Sequence, residues 1–149
     1  MFRYYSMIIV TLYGTLFAFQ CFGSISGALL ASRFSSSLND FYKSAQYTSY
    51  MIEKGNKQPD IYNDALLYSV AAGEFDKAFS LAGEMEKSGI KSPALALTLI
   101  SEKLKKKQFD AAIQLISKYE ANLPEVLKVS MRGWIHIQKE NFNAAVREF

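Results

Sequence analysis

Gly73-Glu74-Phe75-Asp76-Lys77-Ala78 and Gln108-Phe109-Asp110-Ala111-Ala112 share one local frame. In each, a polar residue stands before a phenylalanine and a small residue follows three positions after it. Working outward, the frame returns at Phe41, with Asp40 before it and Ser44 after it. It returns again at Phe142, flanked by Asn141 and Ala145. The four phenylalanines lie 34, 34 and 33 residues apart. A period of this length is that of a helix–turn–helix unit, which cannot bury its apolar face alone and stacks on copies of itself. Within such a unit the repeated small residue lets two helix backbones approach, and the phenylalanine is expected to fill the space under the turn.

The periods divide the chain into helix pairs. The first runs from Ser26 to about Ser37 and, after an Asn39-Asp40 turn, from Phe41 to Lys54. Leu29, Leu30 and Phe34 are the apolar residues of its first helix, and Ala45, Tyr47, Met51 and Ile52 the buried candidates of its second. Gly55-Asn56 stops it, as expected of residues that tolerate left-handed φ. The second pair covers Asp60 to Ala72 and Phe75 to Lys87, broken at Gly73 and ended by Ser88-Gly89. Ser92-Pro93, a capping hydroxyl with proline at the first helical position, opens the third. That pair reaches Lys106 and resumes from Phe109 to Tyr119. Pro124 introduces the fourth, whose first helix extends to about Lys139 and whose second begins at Phe142. Its second helix is cut at Phe149, so the sequence is expected to be a fragment with more chain beyond. No stretch alternates with period two, so the fold class expected is all-α.

Half the residues are apolar, enough for one domain with a core. A formal net charge of +3 sets up no strong field toward nucleic acid or a membrane surface. Residues 4–32 carry no charge, and the apolar part, Met7 to Phe19, is as long as a signal-peptide core. It is short of the about 20 residues of a membrane span. Residues 1–23 are therefore expected to be a signal peptide, cleaved before Ser24, with 24–149 as the repeat domain. The alternative is an uncleaved anchor over residues 4–23, which alone would make a membrane partner. Cys21, the single cysteine, supports neither a disulfide framework nor a cysteine metal site. Gln20 in front of it is too large for a lipid-modified cysteine.

The period, turn and small-residue frame together resemble tetratricopeptide repeats over about residues 26–149, as three complete units and a cut-off fourth. Gly133-Trp134 approximates the small and aromatic residues usual in the first helix of a unit, and Pro59 and Pro124 the proline near a unit's end. The resemblance implies a right-handed superhelical solenoid of antiparallel helix pairs, about three and a half repeats long. Its concave face would be lined by first helices and hold peptides or partner helices. On the phenylalanine frame the inward positions are Asn63, Leu67 and Val70, then Leu97, Ser101 and Lys105, then Ser130, Trp134 and Gln138. Some members of that family clamp a C-terminal carboxylate with Asn and basic residues. Asn63 occupies one such position, but Leu67 and Val70 fill its neighbours, so a clamp is not implied. A leader ahead of repeats is similar to exported repeat proteins of the bacterial envelope, which places the mature chain in the periplasm or envelope.

The remaining candidates are weaker. Trp134, the sole tryptophan, is either a ligand anchor or a side chain packed between repeats or covered by a further repeat beyond residue 149, and burial is the expectation for a large aromatic. His136, the sole histidine, lacks the companions a metal site or an oriented base needs. Lys103-Leu104-Lys105-Lys106-Lys107 ends a first helix, where lysines complement the helix dipole and stay solvated. Tyr42, Tyr47, Tyr50, Tyr62 and Tyr68 are expected to fill the interface between pairs one and two. Asp60 and Asp64 share a first turn, where negative charge is favourable without any catalytic role. With no phosphate loop, nucleophile elbow or His-Glu metal motif, the expectation is a non-enzymatic scaffold or adaptor. It would bind protein or peptide partners, without cofactor, metal or nucleic acid. The alternative is an accessory module of a longer enzyme or assembly factor whose active part lies beyond residue 149.

Overall fold

A computed structural model describes residues 24–148 of the chain; the expected leader and Cys21 lie outside them. The described residues form eight α-helices and one 3-10 turn, with no strand among them. The helices are α1 (Ile25–Ser37), α2 (Phe41–Glu53), α3 (Pro59–Ala71), α4 (Phe75–Lys87), α5 (Pro93–Lys105), α6 (Phe109–Lys118), α7 (Glu125–Gln138) and α8 (Phe142–Glu148). The 3-10 turn, Glu120–Asn122, bridges α6 and α7 and was not legible in the sequence. The chain divides into two compact units, Met1–Tyr68 and Ser69–Phe149, with the boundary inside α3.

The turn within each pair is one motif made four times. Asn39, Gly73, Lys107 and Glu140 take φ of 58°, 77°, 56° and 58°. Each stands just past a first helix, where a left-handed residue lets the chain reverse. The next residue closes the motif through its N–H. Asp40, Glu74, Gln108 and Asn141 donate to the carbonyls of Ser35, Ser69, Lys103 and His136, all at 2.9 Å. Those four are the polar residues that precede each phenylalanine, and they also begin the second helix. Asp40 Oδ1 accepts from Lys43 N at 3.1 Å and Asn141 Oδ1 from Ala144 N at 3.2 Å, satisfying donors at the helix starts. At α5 the Ser92 hydroxyl oxygen accepts from Leu95 N at 3.1 Å with Pro93 following it, as the sequence signals.

The small residues of the frame are all buried: Ser44, Ala78 and Ala112 are fully enclosed and Ala145 nearly so. In unit 1 the closeness is visible directly. Ser44 Oγ donates to the carbonyl of Ser32 on α1 at 3.2 Å, so α2's side chain reaches α1's backbone. Ala28, Met51 and Ile61 make the core there, with Tyr50 and Ile52 against it. Arg33 of α1 pairs with Asp64 of α3 at 2.8 Å, and Phe41 stacks on Tyr68 with centroids 6.3 Å apart.

Two expectations need correction, on the phenylalanines and on the tyrosines. Phe75 and Phe142 are 50% and 62% exposed, so the phenylalanine does not uniformly fill a space under the turn. It occupies the first position of the second helix, and its burial depends on what the neighbouring elements present. On α1 the buried residues are Ala28, Ser32 and Ser35, while Leu29, Leu30 and Phe34 face outward, because the close crossing selects small side chains there. Tyr42 and Tyr47 are exposed, and of the tyrosine group it is Tyr50 and Tyr68 that pack.

In unit 2 successive helices pack in order, α4 on α5, α5 on α6, α6 on α7 and α7 on α8. Met85, Leu95, Ala96, Ile100, Ile116 and Ile135 are essentially without solvent exposure and make its core. Two ion pairs join successive helices here. Asp76 of α4 lies 4.0 Å from Lys105 of α5, and Asp110 of α6 meets Lys139, next to α7, at 2.6 Å. These findings are those of a helical repeat stack.

A third link joins second helices. Lys118 Nζ and Tyr119 OH both donate to Glu86 Oε1, at 2.7 and 3.1 Å. The Lys118 hydrogen bond is the main reason the Glu86 carboxyl titrates below its ordinary range, and it outweighs the opposing effect of burial. A carboxylate depressed in the fold contributes stability above its unfolded value, about 4.3. That contribution is lost as pH falls through the folded value. Glu86→Gln is therefore expected to flatten the acid limb of the stability curve, read as urea midpoints between neutral and acidic pH. Parallel curves for the two proteins would show that this link contributes nothing.

Candidate functional site

The nine residues expected to line a groove fall on both units. In unit 1 Asn63 is half-buried, with a buried Oδ1 that lacks a hydrogen-bond partner, and Leu67 is 52% exposed. In unit 2 Ser101, Lys105, Trp134 and Gln138 are exposed, Val70 is at the edge of exposure, and Leu97 and Ser130 are half-buried.

Three of the nine come together. Lys105, Trp134 and Gln138 line a cleft of about 480 Å³ with Leu104, Lys107, Phe109, Met131 and Ile135. It opens between the end of α5, the start of α6 and one face of α7. On α7 the residues at 131, 134, 135 and 138 are spaced as one helical face, and that spacing was the signal available for Met131 and Ile135. Leu104 lies in the last turn of α5 and Phe109 begins α6, on either side of the reversal at the left-handed Lys107. Val70, Leu97, Ser101 and Ser130 are not among the cleft's walls.

Trp134 is 62% exposed and so is not packed between the described repeats. Its register explains the cleft. One period earlier α5 carries Thr98, Ser101 and Glu102 where α7 carries Met131, Trp134 and Ile135. A neighbouring cleft, also about 480 Å³, has more charged walls: Asp76, Phe79, Ser80, Glu102, Lys105 and Lys106. There Lys106 pairs with Glu102, and Lys105 Nζ lies 5.4 Å from the Phe79 ring centroid. Lys105 borders both clefts.

The charged residues in the walls of the Trp134 cleft have one sign: Lys105 and Lys107 belong to them and no carboxylate does. Farther along α7 the buried Lys128 is hydrogen-bonded to Glu125 and lies 3.5 Å from Glu120. The Glu125 bond chiefly raises its pKa over the opposing effect of burial. The Glu120 contact links the 3-10 turn to α7. His136 is not a cleft residue; its Nε2 is 3.9 Å from Glu148 Oε1 and its Nδ1 is buried without a partner. Among the described residues no group of three or more His, Cys, Asp or Glu is placed to hold a metal ion, and no helix is long and apolar enough to cross a membrane. An open apolar cleft with cations at its edge has the chemistry of a binding surface: apolar area to desolvate and charge to orient. No family model, curated protein or solved structure matches this chain.

Proposed function

We propose that this chain is a non-enzymatic protein-interaction scaffold of the tetratricopeptide type, a right-handed solenoid that takes a peptide or helix of a partner along its first helices. The observation that carries this reading is Trp134, a large aromatic left 62% exposed in an apolar cleft. Tryptophan dominates binding hot spots when a partner covers it. The uncharged leader supports export to the envelope, and N-terminal sequencing of the mature protein is expected to begin at Ser24. A start at Met1 would oppose cleavage.

The scaffold reading is tested by selecting from a random peptide library on the full chain. Selected peptides are expected to bind saturably and to lose about tenfold or more in affinity against Trp134→Ala. Helical circular dichroism of the variant should be unchanged, since the side chain is mostly in solvent. A library that enriches nothing, or peptides indifferent to Trp134, would sink it.

A further inference from the structure

The chemistry of the cleft goes beyond a generic peptide site, and the inference that follows rests on the scaffold reading. We propose that the Trp134 cleft takes a short acidic segment of a partner protein, with one aromatic or long aliphatic side chain as anchor and Asp or Glu beside it. About 480 Å³ admits one or two large side chains, not a folded surface. Leu104, Phe109, Met131, Trp134 and Ile135 offer apolar walls, and the flexible Met131 thioether adapts to anchors of different shape. Gln138 stands at the wall as a donor and acceptor for a peptide backbone.

The charges decide between ligand classes. Lys106, Lys118, Lys128 and Lys139 each have a carboxylate of this chain within 2.7 Å. The two lysines on the cleft do not. Lys105 meets Asp76 only at 4.0 Å, the outer limit of an ion pair, and that carboxylate is fully in solvent. Lys107 has no ion-pair partner among the described residues. Two cations without close partners, beside an apolar hole with no carboxylate in its wall, complement an acidic segment and repel a basic one. Stacking and cations also serve single-stranded nucleic acid, but that needs a long basic groove with successive aromatics. Here the site is one compact hole on a chain of net charge +3.

The test uses the full chain, whose single tryptophan makes emission a local reporter of the cleft. The probe is a blocked nonapeptide with one phenylalanine flanked by aspartates. Comparators carry alanine for the phenylalanine or asparagines for the aspartates, and an oligothymidylate is run beside them. The acidic peptide is expected to shift Trp134 emission saturably. It should bind roughly tenfold tighter than the asparagine form at low salt, with the gap closing as salt rises. The alanine form should not bind. In the Lys105→Gln, Lys107→Gln double variant the acidic peptide should fall to the level of the asparagine form, whose own affinity stays put. Both lysines are exposed, and circular dichroism checks that the helices persist. Equal binding of the acidic and asparagine peptides overturns the proposal, as does tighter binding of the oligonucleotide. If library-selected peptides of other chemistry move the emission and the acidic probe does not, the ligand class is wrong and the scaffold reading stands. If neither does, both fall.

Discussion

Leu95→Ala is expected to remove about 2–5 kcal/mol of stability, the largest loss of any single change considered for this chain. Leu95 sits in the first turn of α5 with no solvent exposure, among the core residues of unit 2. Truncation withdraws its transfer energy and leaves a hole that rigid helices cannot close. Set against a typical domain stability of about 5–15 kcal/mol, that is a large fraction. Urea unfolding should show a lower midpoint at unchanged slope. Val126→Ala, at a position 76% exposed, is the control and should stay within about 0.5 kcal/mol. A Leu95 variant as stable as that control would mean that α5 is not the buried helix described.

Ala112→Leu should cost about 1–3 kcal/mol for the opposite reason. Ala112 is fully buried three residues into α6, where α5 and α6 pack together. Its counterpart in unit 1 shows how little room there is, since Ser44 Oγ is within 3.2 Å of a carbonyl on the facing helix. Three added carbon atoms must push the helices apart or distort a rotamer. Gln114→Leu adds apolar bulk to the same helix at an exposed position and should be nearly neutral. If both substitutions prove harmless, the repeated small residue does not mark a close crossing.

The residues that carried the period were enough to reveal helix pairs, because turn chemistry and small-residue spacing are local and recur. Gly73, Ser92 and Pro93 announce their roles by type, and the structure places them accordingly. Lys107 and Glu140 do not: left-handed φ on a lysine or glutamate has no compositional mark, and only the surrounding hydrogen bonds disclose it. The phenylalanine frame gave position but not burial, since Phe75 and Phe142 are half or more exposed. Burial at a helix start depends on neighbours that the frame does not specify. For the cleft, register alone found Lys105, Trp134 and Gln138. Leu104 and Phe109 were missed as walls because they flank a chain reversal whose geometry the frame does not specify, and Met131 because a single face of α7 does not say which side meets α5.

The economy of the four reversals has a mechanical consequence. Asp40, Glu74, Gln108 and Asn141 each finish one helix and start the next, so no residue inside a pair is free to act as a hinge. Bending falls instead to the joints that separate pairs, on the residues that follow the closures. Gly55 and Gly89 repeat the same left-handed closure, with Asn56 N donating to Met51 O and Ile90 N to Met85 O, both at 3.0 Å, whereas 119–124 is wound into the 3-10 turn with Lys128 3.5 Å from Glu120. The joints are thus of two kinds, and it is the wound one that leads into the helix carrying Trp134.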